Sequence, residues 1–178
     1  AGKPVVVHFL GAAPAPMPRG LHAALSLRHA ADAAVAIARG ESPPSATATP
    51  PVEAIAAVER RIAEMAPSQT AVRGLFTGGT FCYEAQLALI ARGLACRSNA
   101  PAAGAGAFDG RFDGHVFLDL GDDDYTRGRP HPMIDPAQRD ALVRAQGTDA
   151  QTAVILFDVV LGFGSHDNPA QSLALALA

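Results

Sequence analysis

Four short apolar runs constrain this chain more than any other feature. Pro4 to Leu10, Val72 to Phe76, His115 to Gly121 and Thr152 to Gly162 are rich in β-branched and other apolar residues. Each leads through a turn rich in Gly, Pro or charge into a stretch with helical spacing. Apolar runs without polar alternation belong to strands covered on both faces. Strands that alternate with helices build βα units, and these give a parallel sheet with helices on both sides. The expected fold is therefore α/β and doubly wound.

Length and composition agree with one domain spanning residues 1–178. The chain has 178 residues, 49% of them apolar and 17% charged, which fills a core and excludes a wholly disordered chain. The net charge of -3 argues against a generally basic nucleic-acid binder. No apolar run approaches the roughly 18 residues needed to cross a bilayer. Cys82 and Cys96 lack metal spacing and read as free thiols of a reducing cytoplasm. With no initiating Met and an apolar LALALA at the other end, both ends read as cut from something larger.

The helical segments follow from stop and start signals. Ser26 is placed to cap a helix from Leu27 to Arg39, stopped by Gly40. Glu41 to Pro51, ESPPSATATPP, reads as a flexible Pro/Ser/Thr linker. Pro51 opens a helix to Met65 with an apolar stripe at Val52, Ile55, Val58 and Ile62. Further helices are expected at Phe81 to Arg92, Pro136 to Ala145 and near Ala170. Ala100 to Gly114 reads as an irregular excursion with a short hairpin at Phe108 to Gly114.

Three strand exits carry the candidate chemistry, because open parallel sheets bind ligands beyond the carboxyl ends of their strands. Thr77-Gly78-Gly79-Thr80 joins a strand to a helix start, where free N–H groups favour an anion and Thr80 is the expected cap. The loop 121–135 sets Arg127 and Arg129 around Gly128, beside Tyr125 and a His131 held between prolines. Arginine forks suit phosphate or carboxylate. An extended segment would point both arginines the same way, with Asp122, Asp123 and Asp124 as competitors. The third exit holds Gly162, Gly164 and His166, behind an Asp158 inside the strand that needs a partner. Metal chemistry is not called; Asp122 and Asp123 could hold Mg²⁺, but any acidic loop offers that. His8 and His115 lie in strands and read as structural.

The blocks RGLFTGGTFCYEAQ, DLGDDDYTRGRPHPMIDP and DVVLGFGSHDNPA resemble signature blocks of the FdrA family, which is similar to the succinyl-CoA synthetase α-subunit. The resemblance runs from Lys3 to the end. It implies a flavodoxin-like, CoA-ligase-type C-terminal portion of an acyl-CoA synthetase, an acid–thiol ligase. CoA and ATP with Mg²⁺ are implied by the resemblance only, and no cofactor is assigned to this domain alone. An alternative is a subunit of an oxamate carbamoyltransferase in purine breakdown; another is a non-catalytic binding or assembly domain. The expected ligand is a small carboxylate or an acyl or carbamoyl phosphate. The expected partners are an N-terminal CoA-binding-like domain and a second subunit, with neither nucleic acid nor membrane. Thr77, Gly78, Gly79, Thr80, Tyr125, Arg127, Arg129, His131, Gly162, Gly164 and His166 are the anion-site residues, and His131 and His166 the catalytic candidates. In the synthetase a phosphorylated His follows the first strand of this kind. His22, in Arg19-Gly20-Leu21-His22-Ala23-Ala24, falls near that place without the flanking glycines and is a minor candidate, read as a loop or helix-start residue. The isolated chain is expected to be inactive.

Overall fold

The computed structural model describes residues 2–12, 15–45 and 50–178. It divides into two compact units, 1–64 and 65–178.

In the first unit, β1 (Val5–Val7) pairs in parallel with β2 (Leu21–Ala23), Val5 opposite Leu21. α1 spans Leu27–Ala38 and α2 spans Val52–Glu64. Ser26 caps α1 as expected: its Oγ accepts the His29 N–H at 3.0 Å. Gly40 follows the helix at φ 75°, a conformation that glycine adopts without strain. The first apolar run departs from its reading. Only three of its residues form a strand, Val5 is 48% exposed, and β1 and β2 make a sheet of their own. Leu21-His22-Ala23 has no β-branched run, so its pairing was not legible. The α2 stripe is present, but Val52, Ile55, Val58 and Ile62 are all exposed. Of the linker, residues 46–49 lie outside the described residues.

The second unit holds a five-stranded, all-parallel sheet flanked by helices, the flavodoxin-like arrangement. Its elements are β3 (Ala71–Phe76), α3 (Gly79–Ile90), β4 (Cys96–Ser98), β5 (Gly106–Ala107), β6 (His115–Asp119), α4 (Asp123–Thr126), α5 (Ala137–Gly147), β7 (Thr152–Phe157) and α6 (Pro169–Leu177). The strand order is β5-β4-β6-β3-β7. Alternation along the strands feeds two cores. Leu75, Val116, Leu118 and Leu120 pack with Val143 of α5 and with Leu173 and Ala176 of α6. Phe76, Phe117 and Cys96 pack with Cys82 of α3 on the other face. Both cysteines are free and buried.

Two expectations are corrected in this unit. The stretch 100–114 holds the two-residue β5 rather than a hairpin, and β4 just before it was unforeseen; three- and two-residue strands carry too little pattern to read. In place of a hairpin, Phe112 meets Phe108 edge-on at 5.4 Å. A buried Arg73 on β3 anchors the same loop. Its Nη2 donates to the Phe112 carbonyl at 2.7 Å and to Asp149 at 3.0 Å, its Nη1 donates to the Gly114 carbonyl, and its Nε donates to Gln146 at 2.8 Å. Among the described residues no helix is long and apolar enough to cross a membrane.

The connections locate the ligand side of the sheet. From β3 the chain passes through α3 to β4, on the far side of β6; from β6 it passes through α4 and α5 to β7, on the far side of β3. Adjacent strands whose connections leave in opposite directions open a crevice at their carboxyl ends. Here that crevice lies between the ends of β3 and β6.

Candidate functional site

Thr77 follows β3, Asp119 ends β6 and Asp158 follows β7, so the parallel strands deliver all three to one edge. Asp158 lies one residue past its strand, not inside it. The partner its burial demands is Thr77: the Thr77 N–H donates to Oδ1 and the Thr77 hydroxyl to Oδ2, each at 2.7 Å. This double clasp fixes the start of the TGGT turn. Thr77→Val should remove the hydroxyl contact and destabilise the second unit by about 1.5–3 kcal/mol, the scale of a hydrogen bond to a charged group. Urea unfolding of Thr77→Val against the parent checks this; Thr77→Ser should cost clearly less.

Gly78, not Thr80, is the residue before α3, and no side chain caps that helix. The missing cap leaves the first-turn N–H groups at the crevice without a side-chain acceptor. Thr80 is exposed. Gly79 is needed for close approach: a Cβ there would come within 2.9 Å of Asp119 Oδ2.

Asp119 is the group that sequence reading missed. Asn99 frames its backbone, donating to the Asp119 carbonyl and accepting its N–H, both at 2.9 Å. Oδ1 accepts the Gly121 N–H at 2.9 Å. Burial holds the Asp119 carboxyl above the usual carboxylate range. The Gly121 hydrogen bond and His131 oppose that shift, while Asp122 and Asp158 add to it. A carboxylate at the end of an apolar strand is the one available signal for it, and the run His115 to Gly121 absorbs it.

His131 comes into the same space. The Met133 N–H donates to its Nδ1 at 3.2 Å, so the neutral ring carries its proton on Nε2. Nε2 lies 2.7 Å from where a Cβ on Gly121 would sit, and Asp119 Oδ1 lies 3.2 Å from that point. His166 is half-buried in the neighbouring loop. Its N–H donates to the Met133 carbonyl at 2.7 Å and its Nδ1 accepts the Asn168 N–H, which ties the third exit to the second. Asn168 caps α6 through the Gln171 N–H. Gly162 and Gly164 turn this loop at φ 133° and 84°.

The arginines do not sit as expected. Gly128 adopts φ 73°, so 127–129 is not extended, and the common direction assigned to Arg127 and Arg129 loses its basis. Both are exposed, and neither guanidinium has a hydrogen bond or ion pair among the described residues. The aspartates are spent differently: Asp122 caps the short α4 by accepting the Asp124 N–H. Arg129 lines an open depression of about 440 Å³ with Pro130, Pro132, Asp135, Ala137, Gln138 and Ala141. No residue of the TGGT turn or of 162–168 lines it. Tyr125 packs half-buried against the α5 core. His22 sits in β2, in the other unit, and not in a loop or at a helix start. No group of three or more His, Cys, Asp or Glu among the described residues is arranged to hold a metal ion.

A buried charge pair supports the edge from below. Arg139 Nε and Nη2 donate to Asp140 Oδ1 at 3.1 and 3.0 Å, and Nη1 donates to the Asp158 carbonyl at 3.1 Å. Ser172 of α6 closes the set by donating to Asp140. Both charged residues are almost fully buried.

Residues 75–178, from the end of β3 through α6 and including the crevice, match the family model described as CoA-ligase. The chain belongs to the CoA-ligase family. It is also 41% identical over 175 residues, 96% of its length, to the uncharacterized protein YahF of Escherichia coli strain K12, and it spans 33% of that protein's length. The CoA-ligase match thus covers Asp119, His131, Asp158 and His166, and stops short of β1, β2 and His22.

Proposed function

We propose that this chain is the CoA-ligase-type portion of an FdrA-like acyl-CoA synthetase, an acid–thiol ligase, and that the crevice between β3 and β6 takes its small carboxylate or acyl phosphate. The observation that carries the reading is the family match lying over the strand exits that meet at the switch point. The uncapped N–H groups of α3 and the Nε2–H of His131 are the donors there. Thr77 and Gly79 shape the wall, with Asp158 holding Thr77; Gly78 precedes α3 with open space where its side chain would stand. Arg127 and Arg129 remain as exposed cations that attract an anion to the entrance. His166 acts through the Met133 carbonyl by keeping the His131 loop in place.

CoA, ATP and Mg²⁺ belong to the reading through the family alone. The aspartates named for Mg²⁺, Asp122 and Asp123, belong to no group of three or more His, Cys, Asp or Glu arranged to hold a metal ion among the described residues.

The whole protein containing this chain is the material for the test. CoA- and ATP-dependent thioester formation from small carboxylic acids is expected. The 178-residue chain alone should show none, because it spans only a third of its relative's length. Phosphate release from carbamoyl phosphate with oxamate, without thioester formation, would move the reading to carbamoyl transfer. Neither activity in the whole protein would leave a binding domain.

A further inference from the structure

Two polar atoms face the crevice without a protein partner. Asp119 uses Oδ1 on the Gly121 N–H and its backbone on Asn99, and Oδ2 has no hydrogen bond among the described residues. His131 uses Nδ1 on Met133, and its Nε2 has none. The two side chains are close yet not bonded to each other: Asp119 Oδ1 and His131 Nε2 approach the point beside Gly121 Cα, at 3.2 Å and 2.7 Å, and Oδ2 of the same carboxyl lies on the Gly79 side, 2.9 Å from where a Cβ there would sit. Glycine at 121 keeps the space between them open, since a Cβ there would enter it, and glycine at 79 keeps a Cβ off Asp119 Oδ2.

An anion entering this space meets a contradiction. The α3 N-terminus and the His131 N–H favour it, while an ionised Asp119 repels it. One change resolves both terms. We propose that Asp119 and His131 hold one oxygen of a small oxyanion between them, and that Asp119 enters the complex as the neutral acid. Its Oδ2–H donates to the ligand oxygen from one side and the Nε2–H of His131 donates from the other. The proton comes from solvent and forms a bond to Asp119 Oδ2; no other covalent bond changes. Binding is therefore proton-linked, and this inference rests on the crevice being the anion site.

The surroundings of Asp119 favour the neutral form. Burial acts first. Asp122, on its own side of the sheet, and Asp158, beyond β7, both face it with negative charge. Cys82 of α3 contributes no charge near neutrality, because burial raises its thiol to about 11. Only His131 opposes, together with the Gly121 N–H. The sign is that of a raised carboxyl: a ligand that selects the protonated form binds best at low pH. Its affinity falls as pH rises through the free site's value, by up to about tenfold per unit.

Calorimetric titration of the 178-residue chain tests this. Sulfate stands for a phosphate-type ligand and acetate for a carboxylate, and neither probe titrates above about pH 6. Each is measured at about pH 6 and pH 8, in buffers of different protonation heat, so that the proton count is read directly. Wild type should bind at least about tenfold more weakly at the higher pH and take up about one proton there. Preference between the two probes identifies the source of the oxyanion. Asp119→Asn should bind with the same affinity at both pH values and with no proton uptake. His131→Gln should keep the uptake and lose affinity. Binding by wild type without uptake overturns the pair and leaves the anion site standing. So does uptake that persists in Asp119→Asn and vanishes in His131→Gln, since the proton would then sit on the imidazole. No binding of either probe by any protein removes the site itself. Should Asp119→Asn not fold, the wild-type count and His131→Gln still decide.

Discussion

Asp140→Ala is expected to destabilise the 65–178 unit by about 3–5 kcal/mol, the usual cost of leaving a buried charge without its partner. Arg139 is 1% exposed and Asp140 2%, so neither can turn to water. Asp140 takes two guanidinium N–H groups through Oδ1 and the Ser172 hydroxyl through Oδ2. The alanine variant strands all three donors, and the freed Arg139 also has less hold on the Asp158 carbonyl. The damage reaches the site by that route, because Asp158 clasps Thr77. Denaturant unfolding of the chain measures the loss. The double variant Arg139→Met with Asp140→Leu separates the two contributions. Apolar residues of similar volume often replace a buried pair at little net cost. The double variant should therefore recover most of the stability while the Asp158 carbonyl still lacks its donor. A single alanine costing less than about 1 kcal/mol would mean that water reaches this pair.

The contrast between Asp140 and the strands marks what the sequence discloses. Val72 to Phe76 and His115 to Gly121 announced themselves because burial on both faces of a parallel sheet selects unbroken apolar runs. Ser26 and Gly40 were legible for an equally local reason: a cap acts within three or four residues of itself. Buried charge is different. Arg73 and Arg139 look like surface residues in a string, since only the packed fold brings Gln146 and Asp149 to the first and the Asp158 carbonyl to the second. Asp119 was hidden because it stands inside the run His115 to Gly121, where Leu120 continues the apolar letters past the end of the strand. The first run misled for a related reason. Val5, Val6 and Val7 have the composition of a buried strand, but composition does not name the neighbour, and the neighbour is Leu21 to Ala23. The arginine argument failed on one torsion: Gly128 at φ 73° turns a segment that was read as extended.

Gly121→Ala is expected to act on the crevice and on stability together. A Cβ at 121 would come within 2.6 Å of the Thr77 carbonyl oxygen and 2.7 Å of His131 Nε2. The side chain can give way, but the carbonyl cannot easily do so. It belongs to the peptide that links β3 to the start of α3. The adjacent Phe76 carbonyl is fixed by the Leu120 N–H at 2.8 Å, and the Thr77 side chain is fixed on Asp158. Relief must therefore come from moving the β6 exit away from β3, which widens the edge at the switch point. Overpacking of this kind costs about 1–3 kcal/mol. The methyl would also stand between Asp119 and His131, so sulfate or acetate binding should fall by more than about tenfold, the equivalent of about 1.4 kcal/mol. Gly78→Ala is the matched control. Its φ of -166° suits any residue and a Cβ there meets nothing within 4 Å, so only the small loss from alanine before a helix remains, about 0.5 kcal/mol. Unfolding and titration are run on both variants. If Gly121→Ala binds and unfolds as Gly78→Ala does, the β3 and β6 exits are not held together, and the crevice does not have the shape on which its chemistry depends.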